Sequence, residues 1–169
     1  RKLRHPSRAG KLKPFLDTTT FRNLVATRAA VLHLTDDVLL FVEAALGEPR
    51  FTWRPAETVR GAVLDDACSW RELEVTAVDD TPPRARIVTR ATRTGHGREF
   101  LGFNRARHAV LEGTILATRL HLLPADEVGA QFARLAIPVE KTAGPRERAA
   151  WAWLTEFVRA RGVPLEATP

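Results

Sequence analysis

The sequence contains a single cysteine, Cys68, so no intramolecular disulfide can form. This suits a reducing compartment. No apolar run approaches the roughly 20 residues that a membrane-spanning helix requires, and no signal peptide is recognisable. We therefore expect a cytoplasmic protein with no membrane partner. Cys68 lies in the segment DDACSWREL without a base beside it, and this favours a structural thiol over a nucleophile.

Motifs for metal, triphosphate and hydrolase chemistry are also missing. None of the five histidines forms HExxH or pairs with the cysteine at the spacing of a zinc site. The sequence has no GxGxxG, no GKS or GKT loop and no GxSxG. These absences argue against a metal centre, a simple nucleoside triphosphate site and a serine hydrolase.

The positive charge is concentrated at the start of the sequence. The net charge is +6, and residues 1–13 contain six basic side chains and no acidic one. The remaining 156 residues hold equal numbers of both signs, so we predict a basic tail over residues 1–13 and a neutral body. The tail is either a solvated terminus or an arm for an acidic surface. No aromatic-interleaved basic patch follows, so nucleic acid is not favoured as a partner.

The first two thirds of the sequence predict a small antiparallel barrel with two inserted helices. A helix in DTTTFRNLVATR is followed by a strand over Val31–Thr35 and by a helix that Asp36 caps and Gly47 ends. ELEVTAV alternates, with Leu73, Val75 and Ala77 on one side, and ARIVTRAT is its predicted partner. A turn at TGHG and a strand in REFLGF complete the predicted barrel over residues 14–103.

The last third predicts a helical region over residues 104–169. A helix starts at Asn104 as its N-cap and stops before Pro124, and ADEVGAQFARLA predicts a second one. IPVEK reads as a strand, and a last helix runs from Pro145 to Gly162.

The segment DTTTFRNLVATR places polar side chains along one face of the first helix. The apolar residues Phe21, Leu24 and Val25 form one face, and Thr20, Asn23 and Thr27 form the other. Asp17 or Thr18 is a suitable N-cap, after which the first amides point outward with the positive end of the helix dipole. The stretch is either an ordinary capped helix or the binding site of an anion.

The helix that starts at Asn104 carries two further patterns. A small-residue face favours close packing on another helix, of this chain or of a second subunit; it contains Ala106, Ala109, Val110, Gly113, Ala117 and Leu120. A polar row predicts either solvent-exposed salt bridges or one wall of a ligand cleft; its members are Arg105, His108, Glu112 and Arg119.

Four segments in this order resemble one protein family. PFLDTTTFRNL, LHLTDDVLLF, GFNRARHAVLEGTILATRLHLL and VEKTAGP are similar to the uncharacterised FMN-binding split-barrel proteins, a flavin-reductase-like group. The resemblance extends from about Pro14 to the last helix. It implies an α+β fold in which an antiparallel, Greek-key-like split β-barrel precedes a C-terminal helical cap. It also implies FMN as cofactor and a homodimer.

The resemblance also implies positions for the cofactor. The phosphate of FMN falls to the hydroxyl-rich segment, and other matched positions lie near the flavin or in the family's helix motif. The implied residues are Thr18, Thr19, Thr20, Arg22, Asn23, Thr27, Asp36, Asn104 and Arg105. A flavoprotein needs few catalytic side chains because the cofactor carries the electrons, which accounts for the missing motifs above.

Two functions agree with this resemblance. The first is an FMN-dependent oxidoreductase of the flavin-reductase type, acting on a small substrate or an electron partner. The second is a non-enzymatic binding or scaffold protein that keeps the barrel without flavin. Relatives usually carry an upstream strand with a Met-Gly motif, whereas this sequence begins at Arg1 and has no methionine. Either the sequence is truncated, its start is placed too late, or the first strand is lacking, and in each case we expect a barrel edge to be unpaired.

Overall fold

The structure, a computed structural model, describes residues 9–47 and 49–165. These residues form two units. The first, called here the sheet unit, comprises the residues up to Thr35 and Phe51–Phe100. The second, the helical unit, comprises Asp36–Arg50 and the residues from Leu101 onward. A curled antiparallel sheet followed by helices confirms the predicted α+β fold class.

In the part that the structure describes, the sheet unit contains six strands and one helix. Their bounds are β1 Ala9–Leu12, α1 Thr19–Thr27, β2 Ala29–Leu34, β3 Trp53–Pro55, β4 Ala62–Leu64, β5 Ser69–Asp79 and β6 Arg86–His96. Four strands form an antiparallel sheet in the order β1-β6-β5-β2, and β3 pairs with β4. Helix α1 packs on the large sheet through Leu24, which contacts a cluster that includes Val75 and Ile87.

The long hairpin of β5 and β6 contains two register shifts, one at Glu72/Leu73 and one at Val75/Ala77. The extra residue lies on β6 at the first shift and on β5, at Thr76, at the second. An extra residue moves the following side chains of its own strand to the other face of the sheet, and Ala77 is accordingly exposed whereas Leu73 and Val75 are buried. The prediction that Leu73, Val75 and Ala77 share one face was therefore wrong at Ala77.

The helical unit contains four helices, α2 Val38–Leu46, α3 Arg105–Ala117, α4 Ala125–Thr142 and α5 Pro145–Arg159. A Cβ atom at Gly113 of α3 would lie 2.9 Å from Leu154 of α5 and 3.3 Å from Trp151. The small-residue face of α3 thus packs on helices of the same chain. A homodimer stays a prediction and would need another surface.

Two predicted strands are absent from the described residues. REFLGF is irregular, and β6 instead continues through the predicted turn to His96. Gly95 is needed there because a Cβ atom would lie 2.1 Å from the indole of Trp70. IPVEK belongs to α4, in which Val128, Phe132 and Val139 continue one buried stripe past Pro138.

Three boundaries also differ from the prediction. Ala9–Leu12 pairs with β6 as β1, so the end of the predicted tail is part of the sheet, while residues 1–8 lie outside the described residues. Helix α2 belongs to the helical unit and is capped by Asp37, whose carboxylate accepts from the Leu39 amide, rather than by Asp36. Helix α3 ends at Ala117, earlier than predicted.

Candidate functional site

The N-terminus of α1 is built as the sequence predicts, with Thr18 as its N-cap. The Thr18 hydroxyl accepts a hydrogen bond from the Phe21 amide at 3.2 Å and donates one to the Phe15 carbonyl at 2.7 Å. A hydroxyl has one proton. Thr18 therefore orients the first turn, and its hydroxyl is already committed as a donor.

Donors next to this cap face solvent. Arg22 donates to the Asp17 carbonyl at 2.8 Å and to the Thr19 hydroxyl at 3.1 Å. Thr19 accepts in that bond, so its own proton stays available for a ligand. Thr19, Thr20 and Arg22 are exposed, and the amides of a first helical turn have no partner within the helix. Hydroxyl, guanidinium and amide donors thus converge where the helix dipole favours an anion.

Thr27 and Asn23, the other two predicted residues of α1, differ in their hydrogen bonding and exposure. The Thr27 hydroxyl donates to the Asn23 carbonyl at 2.8 Å and accepts from the Ala29 amide at 3.3 Å, so it closes the C-terminal end of the helix. Arg28 follows in the left-handed conformation with φ of 55°. The side chain of Asn23 is exposed on the same face as Thr20. The structure therefore adds Asn23, but not Thr27, to the available donors.

Asn104 and Arg105 lie at the start of α3, in the helical unit. The Asn104 side chain accepts from the amides of Ala106 at 2.7 Å and Arg107 at 3.3 Å, and its amide group donates to the Thr142 carbonyl at 3.0 Å. These bonds cap α3 and fasten it to the end of α4. Arg105 is exposed.

Asp36 belongs to a buried ionic cluster of the helical unit. Its carboxylate accepts from the Leu101 amide at 2.8 Å and from the Arg107 guanidinium at 2.8 Å. Arg107 also donates to Glu147 at 2.7 Å. The side chains of Asp36 and Glu147 are only 4% and 6% exposed. The contacts of Asp36 are therefore those of a structural ion pair, which the sequence did not predict.

Glu147 stays ionised in this cluster. Burial opposes ionisation, but hydrogen bonds from Arg107 and from the Gly144 amide outweigh it and lower the pKa of Glu147. Glu147 stands three residues after Gly144, the N-cap of α5, which is the spacing of a carboxylate that caps a helix. That spacing was the only sequence signal for the cluster.

A second buried carboxylate, Glu72, lies in the sheet unit and was also missed. It accepts from the amides of Glu57 at 3.2 Å and Thr58 at 2.5 Å, and from the Thr58 hydroxyl at 2.6 Å. Burial opposes ionisation of Glu72, but these donors outweigh burial and lower the pKa of its carboxyl from the ordinary value. The carboxylate fixes the loop between β3 and β4.

The predicted polar row extends beyond α3, because the helix ends at Ala117 and Arg119 lies in the turn that follows. Its members Arg105, His108, Glu112 and Arg119 are all exposed, and His108 stacks on Phe103 with ring centroids 6.2 Å apart. Solvent-exposed salt bridges and the wall of a ligand cleft both stay predictions for this row.

The environment of Cys68, the grouping of possible metal ligands and the length of the helices bear on what kind of site the protein contains. Cys68 is buried, and its thiol donates to the Glu99 carbonyl at 3.8 Å. Across residues 9–47 and 49–165, no three His, Cys, Asp or Glu side chains are grouped as metal ligands would be. None of the helices in these ranges is both long and apolar enough to cross a bilayer.

Comparison with solved structures identifies the fold. An FMN-bound protein from Methanosarcina mazei has a TM-score of 0.74 and 21% identity, over 87% of this chain and 80% of that one. An NADH:FAD oxidoreductase from Streptomyces globisporus has a TM-score of 0.47 and 8% identity, over 57% of this chain and 70% of that one. Component B of nitrilotriacetate monooxygenase from Mycobacterium thermoresistibile has a TM-score of 0.47 and 13% identity, over 56% of this chain and 55% of that one. The match to the M. mazei protein shows the predicted fold, a split barrel with a helical C-terminal part.

Family models match both parts of the chain. The model of the N-terminal domain of a protein of unknown function (DUF447) matches residues 4–96, and a second DUF447 model matches residues 104–156. Among curated protein sequences there is no significant match. The first model alone covers more than half of the 169 residues, and the solved protein from M. mazei carries the same family assignment. The chain therefore belongs to the DUF447 family, whose function is not known.

Proposed function

We infer that the protein binds FMN, with the phosphate of the cofactor at the N-terminus of α1. The observation that carries this inference is the fold, which is shared over 87% of the chain with a family member whose structure holds FMN. The sheet unit supplies an anion-binding helix terminus at the position that the sequence resemblance indicates.

The donor chemistry of α1 fits a phosphate dianion. Thr19 and Thr20 supply hydroxyl protons, Arg22 supplies a guanidinium that Asp17 and Thr19 already orient, and the first-turn amides supply dipoles. Asn23 extends the same face by one turn. These groups bind and orient the ligand, while Thr18 and Thr27 hold the helix that presents them.

Bound FMN supplies the redox chemistry, and the protein needs only to bind and orient it. We propose an oxidoreductase of the flavin-reductase type, acting on a small substrate or an electron partner. The competing function is a scaffold that keeps this fold without flavin.

Replacing Thr20 with valine and Arg22 with glutamine is expected to weaken FMN binding by about ten-fold or more, because two direct phosphate donors are lost. The measurement is a titration of FMN fluorescence with purified protein. Both residues are exposed, so circular dichroism should show an unchanged fold.

Arg105→Gln is the matched control, since Arg105 is an exposed arginine near a helix start in the helical unit. We expect it to leave FMN affinity within about two-fold of wild type. A larger loss in Arg105→Gln than in the α1 variant would move the phosphate to α3. Absence of FMN binding by the wild-type protein would favour the scaffold instead.

A further inference from the structure

The large sheet carries basic side chains on the face opposite α1. Leu12 of β1 and Ile87 of β6 pack in the cluster beneath α1. Successive residues of a strand point to opposite faces, so Lys11 and Arg86 project from the other face. Lys11 belongs to the segment that the sequence assigned to a tail, and its backbone is instead paired with Val88 of β6.

Two adjoining hollows lie beside the turn between β5 and β6. Their volumes are about 320 and 410 Å³, and Lys13, Asp79 and Arg86 line both. Arg84 completes the first hollow and Lys11 the second. We call this the basic pocket. Its volumes are of the size that holds a small ligand, since such pockets begin at roughly 300 Å³.

The charges of the basic pocket do not balance. Its four cations face one carboxylate, that of Asp79. The Thr81 hydroxyl and amide donate to that carboxylate at 2.6 and 3.1 Å, and these bonds lower the pKa of Asp79. Within the described part of the chain, neither Lys11 nor Lys13 forms an ion pair. Three positive charges therefore remain for a ligand.

One of the cations is held in place before any ligand arrives. The Arg84 guanidinium lies 3.7 Å from the ring centroid of Phe15 and donates to the Lys13 carbonyl at 3.4 Å. Stacking and hydrogen bonding of this kind reduce the entropy that an arginine loses when it binds an anion.

We propose that the basic pocket binds a small phosphate-bearing molecule, at a site separate from the α1 terminus. The excess of cations matches a multiply charged anion, and the volumes match a small molecule. Because none of the donors of the α1 terminus lines the basic pocket, the pocket can be tested whether or not FMN binds at α1.

Inorganic pyrophosphate is the probe, titrated by calorimetry at about 150 mM salt, where long-range attraction is screened. The Lys13→Gln/Arg86→Gln variant should bind it about ten-fold more weakly than wild type. The Arg134→Gln/Lys141→Gln variant removes the same charge from exposed positions of α4 and should keep wild-type affinity. The Thr20→Val/Arg22→Gln variant should also retain binding, because its changes lie at α1.

Three results would overturn the proposal. Equal losses in the pocket variant and in the α4 variant would mean attraction by net charge alone. Loss of pyrophosphate binding in the α1 variant, or no saturable binding by wild type, would leave the basic pocket without a ligand. A short oligodeoxynucleotide that binds more tightly than pyrophosphate, and is weakened by the pocket variant, would assign the pocket to a nucleic-acid backbone.

Discussion

Replacement of Arg107 with methionine is expected to destabilise the helical unit by about 3–5 kcal/mol, because it leaves two buried carboxylates without their cation. Asp36 and Glu147 are 4% and 6% exposed, and both are bonded to Arg107. The measurement is urea denaturation followed by far-ultraviolet circular dichroism, together with hydrogen exchange of the α3 and α5 amides. Exchange should accelerate in these helices.

The stability of the ion cluster depends on the planar shape of the Arg107 guanidinium as well as on its charge. Arg107 uses Nε for Glu147, and another nitrogen for Asp36 at 2.8 Å and for the Gly102 carbonyl at 3.3 Å. A lysine has a single ammonium group and cannot span both carboxylates in this way. The Arg107→Lys protein should therefore be more stable than the Arg107→Met protein but measurably less stable than wild type.

Two controls separate the ion cluster from general effects of substitution. Arg105→Met changes an exposed arginine of the same helix and should stay within about 0.5 kcal/mol of wild type. Adding Asp36→Asn and Glu147→Gln to Arg107→Met should recover part of the loss, because no unpaired charge then remains. An Arg107→Met protein as stable as Arg105→Met would contradict this account of the cluster.

Local signals in the sequence were sufficient to predict α1 and its N-cap. Thr18, Leu24 and the polar face all lie within ten residues, and the hydrogen bonds that start the helix span three residues. The family resemblance then placed an anion at this terminus. Patterns of this range depend on backbone geometry and need no knowledge of the rest of the fold.

Contacts between segments that are distant in the sequence could not be predicted from such local signals. Arg107 lies 71 residues from Asp36 and 40 from Glu147, and no periodicity links them. Gly95 was taken as part of a turn, whereas it sits within β6 because Trp70 occupies the space of a side chain. Such features follow from packing between strands and helices, which only the structure supplies.

The predicted cofactor site stays a prediction, but the structure shows which of its side chains are already hydrogen-bonded within the protein. Nine residues were expected at the cofactor, but hydroxyl donors at Thr18 and Thr27 are used within the chain. Asn104 caps α3, and Asp36 pairs with Arg107. Sequence identifies residue types that suit a ligand, whereas hydrogen bonding within the protein decides which of them remain available.

Replacing Glu72 with glutamine is expected to destabilise the sheet unit by about 2–3 kcal/mol, because the donors of the loop lose a charged acceptor. The Glu72 side chain is 1% exposed, and both of its oxygens accept hydrogen bonds from the loop at Glu57 and Thr58. A glutamine presents an NH₂ group to one of these donors. Urea denaturation at pH 7 measures the loss.

The same substitution should change the pH dependence of stability. The pKa of Glu72 is lowered in the folded protein, so its stabilisation is present above the unfolded pKa and disappears as pH falls through the folded pKa. The difference between wild type and Glu72→Gln should therefore shrink below about pH 4. Glu74→Gln removes a carboxylate of the same strand that is 48% exposed and paired with Arg90, and should cost less than about 1 kcal/mol. A difference between wild type and Glu72→Gln that stays constant with pH would mean that the charge of Glu72 does not stabilise the loop.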